Sequence, residues 1–414
     1  MPGTKDLSIS RSHELRTLNR HRVLRALRAL GPCSRAELGR ATALSAAAIS
    51  SYAAELVSDG VVRTARAAGV RGRPQSQLVL RPDAAAAITL SLTIDRLEAC
   101  LIDHAGVVHA TVRRDTCTRT LSEGALIDEV LDIVRTLTPH PAARRLRQVS
   151  IGFQGIVAQR GGTLVWSPIL SVNEVPLGQA IESTCSLSVS VHNDCRLIAG
   201  ALHAENAERL GSNFATVLFT HGVGLALILG DRPFEGVVNS ALEMGHLVHV
   251  PNGARCRCGR RGCIEAYAAD YAILNGIRQA RGETLPDSPG RIADEKLDDE
   301  LRAAAAGDVP AGQAFERAGT AIGAGLAQVF LLTGAMPVAL VGRSAAALDV
   351  MRPSLLEALR TASTPQHPAR DVPVETFSDD RALLQRGLAL DALIALDRQL
   401  AQPGSTAPVR SCAS

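Results

Sequence analysis

Three cysteines fall within eight residues at Cys256, Cys258 and Cys263, with glycines at 259 and 262 where a tight loop needs them, and His246 lies ten residues upstream. Three thiolates and one imidazole make a closed tetrahedral set that suits structural Zn²⁺, with no open position for an activated water. The other six of the nine cysteines are scattered, so the cluster reads as a metal site rather than a disulfide framework. No run of eighteen uncharged apolar residues occurs, and 1–12 lack a secretory apolar region. The expectation is a cytoplasmic protein without membrane spans.

Charge divides the chain unevenly. Residues 1–80 hold 13 Lys and Arg against 5 Asp and Glu, leaving the remainder at −5 within a total of +3. A basic head on an acidic body is what binding a phosphate backbone needs. Within the head, apolar residues recur at helical spacing from Leu15 to Leu30, through Leu18, Val23, Leu24 and Leu27, until Gly31-Pro32 breaks the pattern. Ser34 with Glu37 forms a capping box for a short helix, and Ser45 caps a second one ending near Ser58. Short strands at 61–64 and 77–80 complete a winged helix-turn-helix. The second helix of such a unit meets the major groove with its N-terminal residues, here Ser45, Ala46, Ala47, Ser50 and Ser51. These short side chains offer no bidentate arginine for guanine. The wing loop Arg71-Gly72-Arg73-Pro74 offers two guanidiniums for phosphate or the minor groove.

The chain as a whole is 46% hydrophobic, and its body is long enough for large cores. Strands are expected at 88–92, 97–102, 107–112, 149–152, 187–191, 214–219, 225–229 and 338–341, with helices at 121–137, 197–207, 314–332 and 380–400. This alternation predicts an α/β fold. Residues 281–308, rich in charge, Pro and Gly, read as an elaborated loop or a lid, and the tail from Pro403 as disordered.

The run Glu243-x-Gly-His246, followed by Cys256-x-Cys-Gly-x-x-Gly-Cys263-x-Glu265, resembles the signature of the ROK family (repressors, open reading frames and kinases). The winged head and its R-G-R-P loop resemble the repressor branch. The resemblance implies a two-lobed, actin-like (ribonuclease-H-like) fold, hexose-type ligands in the cleft and homodimers or homotetramers. Expected divisions are 1–80 for the DNA-binding head, 81–200 for lobe 1 with helix 380–401 returning to it, 201–379 for lobe 2, and 402–414 for the tail.

The resemblance also assigns roles. Asn193 and Asp194 match the family's sugar-binding pair, Asp194 falling on the catalytic base, and Glu243, His246 and Glu265 match its other sugar contacts. His246 would give one nitrogen to zinc and the other to the ligand. The phosphate side departs from the pattern. D-x-G-G-T-K becomes Ser91-Leu-Thr-Ile-Asp-Arg96, G-T-G-x-G-G-G becomes Thr220-His-Gly-Val-Gly-Leu-Ala226, and a later Gly-Gly becomes Gly342-Arg343. Side chains with a Cβ obstruct the backbone cradle that phosphates require, and phosphoryl transfer depends on that positioning. The expectation is no kinase activity, with Asp194 a ligand-binding carboxylate in a regulator that binds operator DNA and a sugar or sugar-phosphate effector. The alternative is an ATP-dependent sugar kinase carrying a DNA-binding head.

Overall fold

A computed structural model describes residues 4–66, 76–158, 161–235, 239–240, 242–285, 294–361 and 372–404. The head comprises α1 (Thr4–Leu30), α2 (Arg35–Thr42), α3 (Ala46–Ser58) and the antiparallel hairpin β1 (Val62–Arg66) and β2 (Ser76–Leu80). Ser34 and Glu37 form the expected reciprocal cap, and the Ser45 hydroxyl accepts the Ala48 N–H. Val23, Leu24, Leu27, Ile49, Ala53 and Leu56 are buried together. Leu15 and Leu18, expected on that apolar face, are exposed. At that level α1 meets α3 through side-chain polar groups instead: Arg16 pairs with Glu55, and buried Arg20 with Glu55 and Asp59.

Lobe 1 is built from β3 (Ala86–Leu92), β4 (Arg96–Asp103), β5 (Val108–Asp115), α4 (Glu123–Leu137), β6 (Leu146–Phe153), β7 (Ile156–Val157), β8 (Leu164–Trp166), α5 (Leu177–Cys185), β9 (Ser188–Asn193) and α6 (Asp194–Leu210). Its sheet order is β5-β4-β3-β6-β9, with an antiparallel meander joined to parallel strands. Parallel neighbours need long crossovers, which α4 and α5 supply.

Lobe 2 contains β10 (Phe214–Phe219), β11 (Val223–Leu229), β12 (Arg232–Pro233), α7 (Glu265–Ala268), α8 (Asp270–Ala280), α9 (Asp294–Ala305), α10 (Val309–Thr333), β14 (Val338–Val341), α11 (Leu348–Thr361) and β15 (Val374–Phe377), while β13 (Asn239–Ser240) reaches back to pair with β7 of lobe 1. Its sheet order, β12-β11-β10-β14-β15, repeats the plan of lobe 1. Part of the segment expected to be loop or lid is helical: α9 packs on α10, and Arg281 bridges Glu300 and Asp308 at 2.7 and 3.0 Å. Residues 286–293 of that segment, and 405–414 of the tail, lie outside the described residues.

The last helix, α12 (Asp380–Leu400), joins all three bodies. Its first half packs on α6 so closely that a Cβ at Gly387 would stand 2.2 Å from the Leu197 carbonyl oxygen. Its second half, through Ala392, Leu396 and Leu400, completes the apolar core of the head. Asp397, fully buried, accepts two 2.8 Å bonds from Arg28 of α1 and one of 2.9 Å from His104 Nε2 in the β4–β5 turn.

Candidate functional site: a cleft beside a cysteine-rich loop

Strand β9 delivers Asn193 and Asp194 to the cleft because the strand ends where α6 begins. Asn193 is the cap: its Oδ1 accepts the Cys195 and Arg196 N–H groups, and its Nδ2 donates to the Gly155 carbonyl at 3.0 Å. Gly155 has φ +146°, and a Cβ there would stand 2.3 Å from the Trp166 carbonyl oxygen, so only glycine fits. Asp194 borders the cavity, and burial, then the nearby Asp380 charge, raises its carboxyl to about 6.

Across the cleft, burial and the charges of Glu265 and Asp194 raise Glu243 to about 7, although 40% of its side chain stays exposed. Glu243 therefore feels the charges of both other carboxyls expected from the sequence. His246 Nε2 lies 3.7 Å from Glu243 Oε2, and Trp166 meets the His246 ring edge-on at 6.0 Å. Glu265 is buried at the start of α7. It accepts from Cys256 Sγ at 3.5 Å, and a Cβ at Gly222 would stand 2.9 Å from its Oε2. One of the retained glycines of the second loop therefore makes room for Glu265.

His246, Cys256, Cys258 and Cys263 do come together, their ligand atoms all within 4.8 Å of one another. His246 Nδ1 stands 3.8 Å from Cys256 Sγ, and Cys258 Sγ 3.8 Å from Cys263 Sγ. Burial lowers the His246 pKa, favouring the neutral ring that metal ligation uses. Burial would raise the Cys258 thiol, but Arg260 N–H groups bonding its sulfur bring it below the ordinary value. These four donors could hold a tetrahedral metal ion. Arg257, on the same loop, donates to the His221 carbonyl at 3.0 Å and lies 4.0 Å above the Tyr271 ring, tying the cysteine loop to the cleft wall. Sequence reasoning missed Trp166, Arg257 and Tyr271, since nothing in their spacing marks them.

The loops of the phosphate side bond within themselves. The single Thr93 hydroxyl proton is shared between Asp95 Oδ1 at 2.9 Å and the Arg96 carbonyl at 3.1 Å, and the Thr93 N–H is spent on that same carbonyl. Ile94 is buried, and Ser91 bonds Gln385 of α12. Arg343, in place of a glycine, holds Asp298 of α9 at 2.7 Å. A cavity of about 560 Å³ remains between these elements.

The ROK family model matches residues 88–388. The chain belongs to the ROK family. Among relatives of this ROK chain is the DNA-binding transcriptional repressor Mlc of Escherichia coli, 24% identical over 391 residues, 92% of this chain and 94% of Mlc. A solved ROK family transcriptional regulator, a homologue of E. coli Mlc, shares the fold at TM-score 0.76 and 24% identity over 93% of this chain and 98% of its own. A Streptomyces griseus ROK glucokinase, solved with glucose and AMPPNP, reaches TM-score 0.59 at 23% identity, covering 74% of this ROK chain and 99% of itself.

On the head, the cap Ser45 and, on the first two turns of α3, Ala46, Ala47, Ser50 and Ser51 are exposed, with exposed Arg35 and Arg40 on α2 and Arg63 and Arg66 on β1. Arg71 and Arg73 lie outside the described residues. Part of the basic excess counted from sequence is used internally, by Arg20 and Arg28. Among the described residues, no helix is long and apolar enough to cross a membrane.

Proposed function

We propose that this chain is a sugar-responsive, DNA-binding transcriptional regulator, acting as a repressor in the cytoplasm, whose kinase-like body senses its effector without phosphorylating it. One observation carries the reading: Glu243 lies 3.7 Å from His246 and feels the charges of Glu265 and Asp194, while the first phosphate loop spends its polar groups on itself. Asn193, Asp194, Glu243, His246 and Glu265 are the effector contacts. The repressor function of Mlc, matched along nearly the whole chain, supports the DNA-binding half.

The cysteine loop is read as a structural zinc site. Zn–S bonds of about 2.3 Å imply a tetrahedral edge of about 3.8 Å, the separation at which Cys258 and Cys263 stand. Bound there, the ion would fix the loop between His246 and Glu265 and supply no reactive water. The expected division at 200 falls inside α6, so the reading adopted is head (1–80), lobe 1 (81–210 with 380–401) and lobe 2 (211–379). The active unit is a homodimer or homotetramer whose paired α3 helices read two half-sites through Ser45, Ala46, Ala47, Ser50 and Ser51, with Arg71 and Arg73 on the wing.

Fluorescence anisotropy of the full chain on operator DNA, titrated with glucose, N-acetylglucosamine, N-acetylmannosamine and xylose, tests this reading. A sugar must change operator affinity, since an effector acts only through unequal affinity for two states; no change with any of them refutes sensing. ATP-dependent phosphorylation of any of these sugars in a coupled assay would return the chain to the kinases.

A further inference from the structure

Asp194 belongs both to the sugar-binding pair and to the wall of the 560 Å³ cavity. On the sugar-sensing reading Asp194 holds a hydroxyl at the edge of that cavity, which places a substituent on that hydroxyl against the cavity wall. We propose that the cavity admits only unphosphorylated sugars, and that Asp380, Asp379 and Asp298 select against effectors esterified with phosphate at that hydroxyl. This rests on the sugar-sensing reading and specifies the ligand of the same site.

Three features that attract phosphate are each already used by the chain. Helix N-termini bind anions through free N–H groups, and both α6 and α12 begin at the cavity. Asn193 caps α6, and the Asp379 side chain accepts the Ala382 N–H of α12 at 2.9 Å. Guanidiniums bind phosphate, and the two in the wall face carboxylates: Arg343 pairs with Asp298 at 2.7 Å, and Arg381 lies 3.9 Å from Asp95. The glycine-rich loop is replaced by the internally bonded turn at Thr93. Six aspartates and two arginines line the wall, so a phosphate dianion would enter an excess of its own sign, in a recess where such interactions are poorly screened. A neutral sugar meets no such penalty, and Asp194 can accept its hydroxyl. Specificity arises here from a repulsive element as much as from an attractive one.

Calorimetric titration of the full chain with glucose and glucose 6-phosphate, and with N-acetylglucosamine and its 6-phosphate, tests the proposal. The free member of at least one pair should bind at least about tenfold more tightly than its ester. An ester binding as well as its free sugar, or better, overturns the selection while leaving sugar sensing intact. Binding by neither member of either pair refutes the proposal, and unresponsive operator binding across the wider panel would refute sensing as well. Asp380→Asn should narrow the gap about tenfold by removing one like charge. Asp298→Asn, on a half-exposed helix face where folding tolerates the change, should narrow it by releasing Arg343. An unchanged gap in both folded variants would overturn the assignment of these carboxylates.

Discussion

Replacing Asp397 by Asn should loosen the DNA-binding head from the body. Asp397 is fully buried and is the shared acceptor for two N–H groups of Arg28 and for His104 Nε2, at 2.8 and 2.9 Å. Burial alone would raise its carboxyl, but the bonds from Arg28 and His104 outweigh burial and hold it below the usual range. The amide keeps the shape and one acceptor, yet leaves the Arg28 charge, only 15% exposed, without a counter-ion. Breaking a buried pair on one side costs about 3–5 kcal/mol, a large share of the roughly 5–15 kcal/mol that holds a domain folded. Hydrogen exchange should show α1 and the end of α12 losing protection together, while the lobe 1 strands keep theirs. Replacing both partners, Arg28→Met with Asp397→Leu, should recover part of the loss, since an apolar pair leaves no buried charge. A cost below about 1 kcal/mol for Asp397→Asn would refute the claim that this cluster fastens the head. Because the folded pKa is depressed, the Asp397 contribution is present above its unfolded value and should fade as pH falls through the folded one.

Other substitutions test the remaining parts. Asp194→Asn should weaken the sugar response and spare operator binding; equal loss of both would make Asp194 structural. Its folded carboxyl is raised to about 6, so its stabilising contribution is complete below about pH 4 and lost as pH rises through 6. Asp194→Asn should accordingly gain up to about 3 kcal/mol over wild type at pH 8 and little at pH 4, read from urea melts. Cys258→Ser should release metal and unfold the loop before Glu265; unchanged zinc content by elemental analysis would contradict the ligand set. Ser45→Ala removes the bond to the Ala48 N–H and should cost about 1 kcal/mol, lowering operator affinity through a frayed first turn of α3.

What was legible in the sequence was local. The Ser34–Glu37 cap, the Ser45 cap and the full extent of α12 follow from spacing and cap chemistry, and the cysteine cluster from ligand types within a short loop. Contacts between distant segments were not legible. Arg28 and Asp397 lie 369 residues apart, so neither marks the other. Counting charge could not reveal that Arg20 and Arg28 serve the interior, and the apolar period of α1 could not show that Leu15 and Leu18 precede the point where the helix meets its core. Helix α9 was hidden because its surroundings, rich in charge and Pro, resemble loop composition.

Helix α12 begins at the cavity with Asp380 and Arg381 and ends under the head with Leu400. From the tight crossing at Gly387 to Leu400 the helix runs about 20 Å, at about 1.5 Å per residue. Rocking about that fulcrum by some 5° would swing the far end by about 2 Å, on the order of a hydrogen-bond length. A rod held about a third of the way along its length would thus turn a small movement at the cavity into a larger one beneath the head.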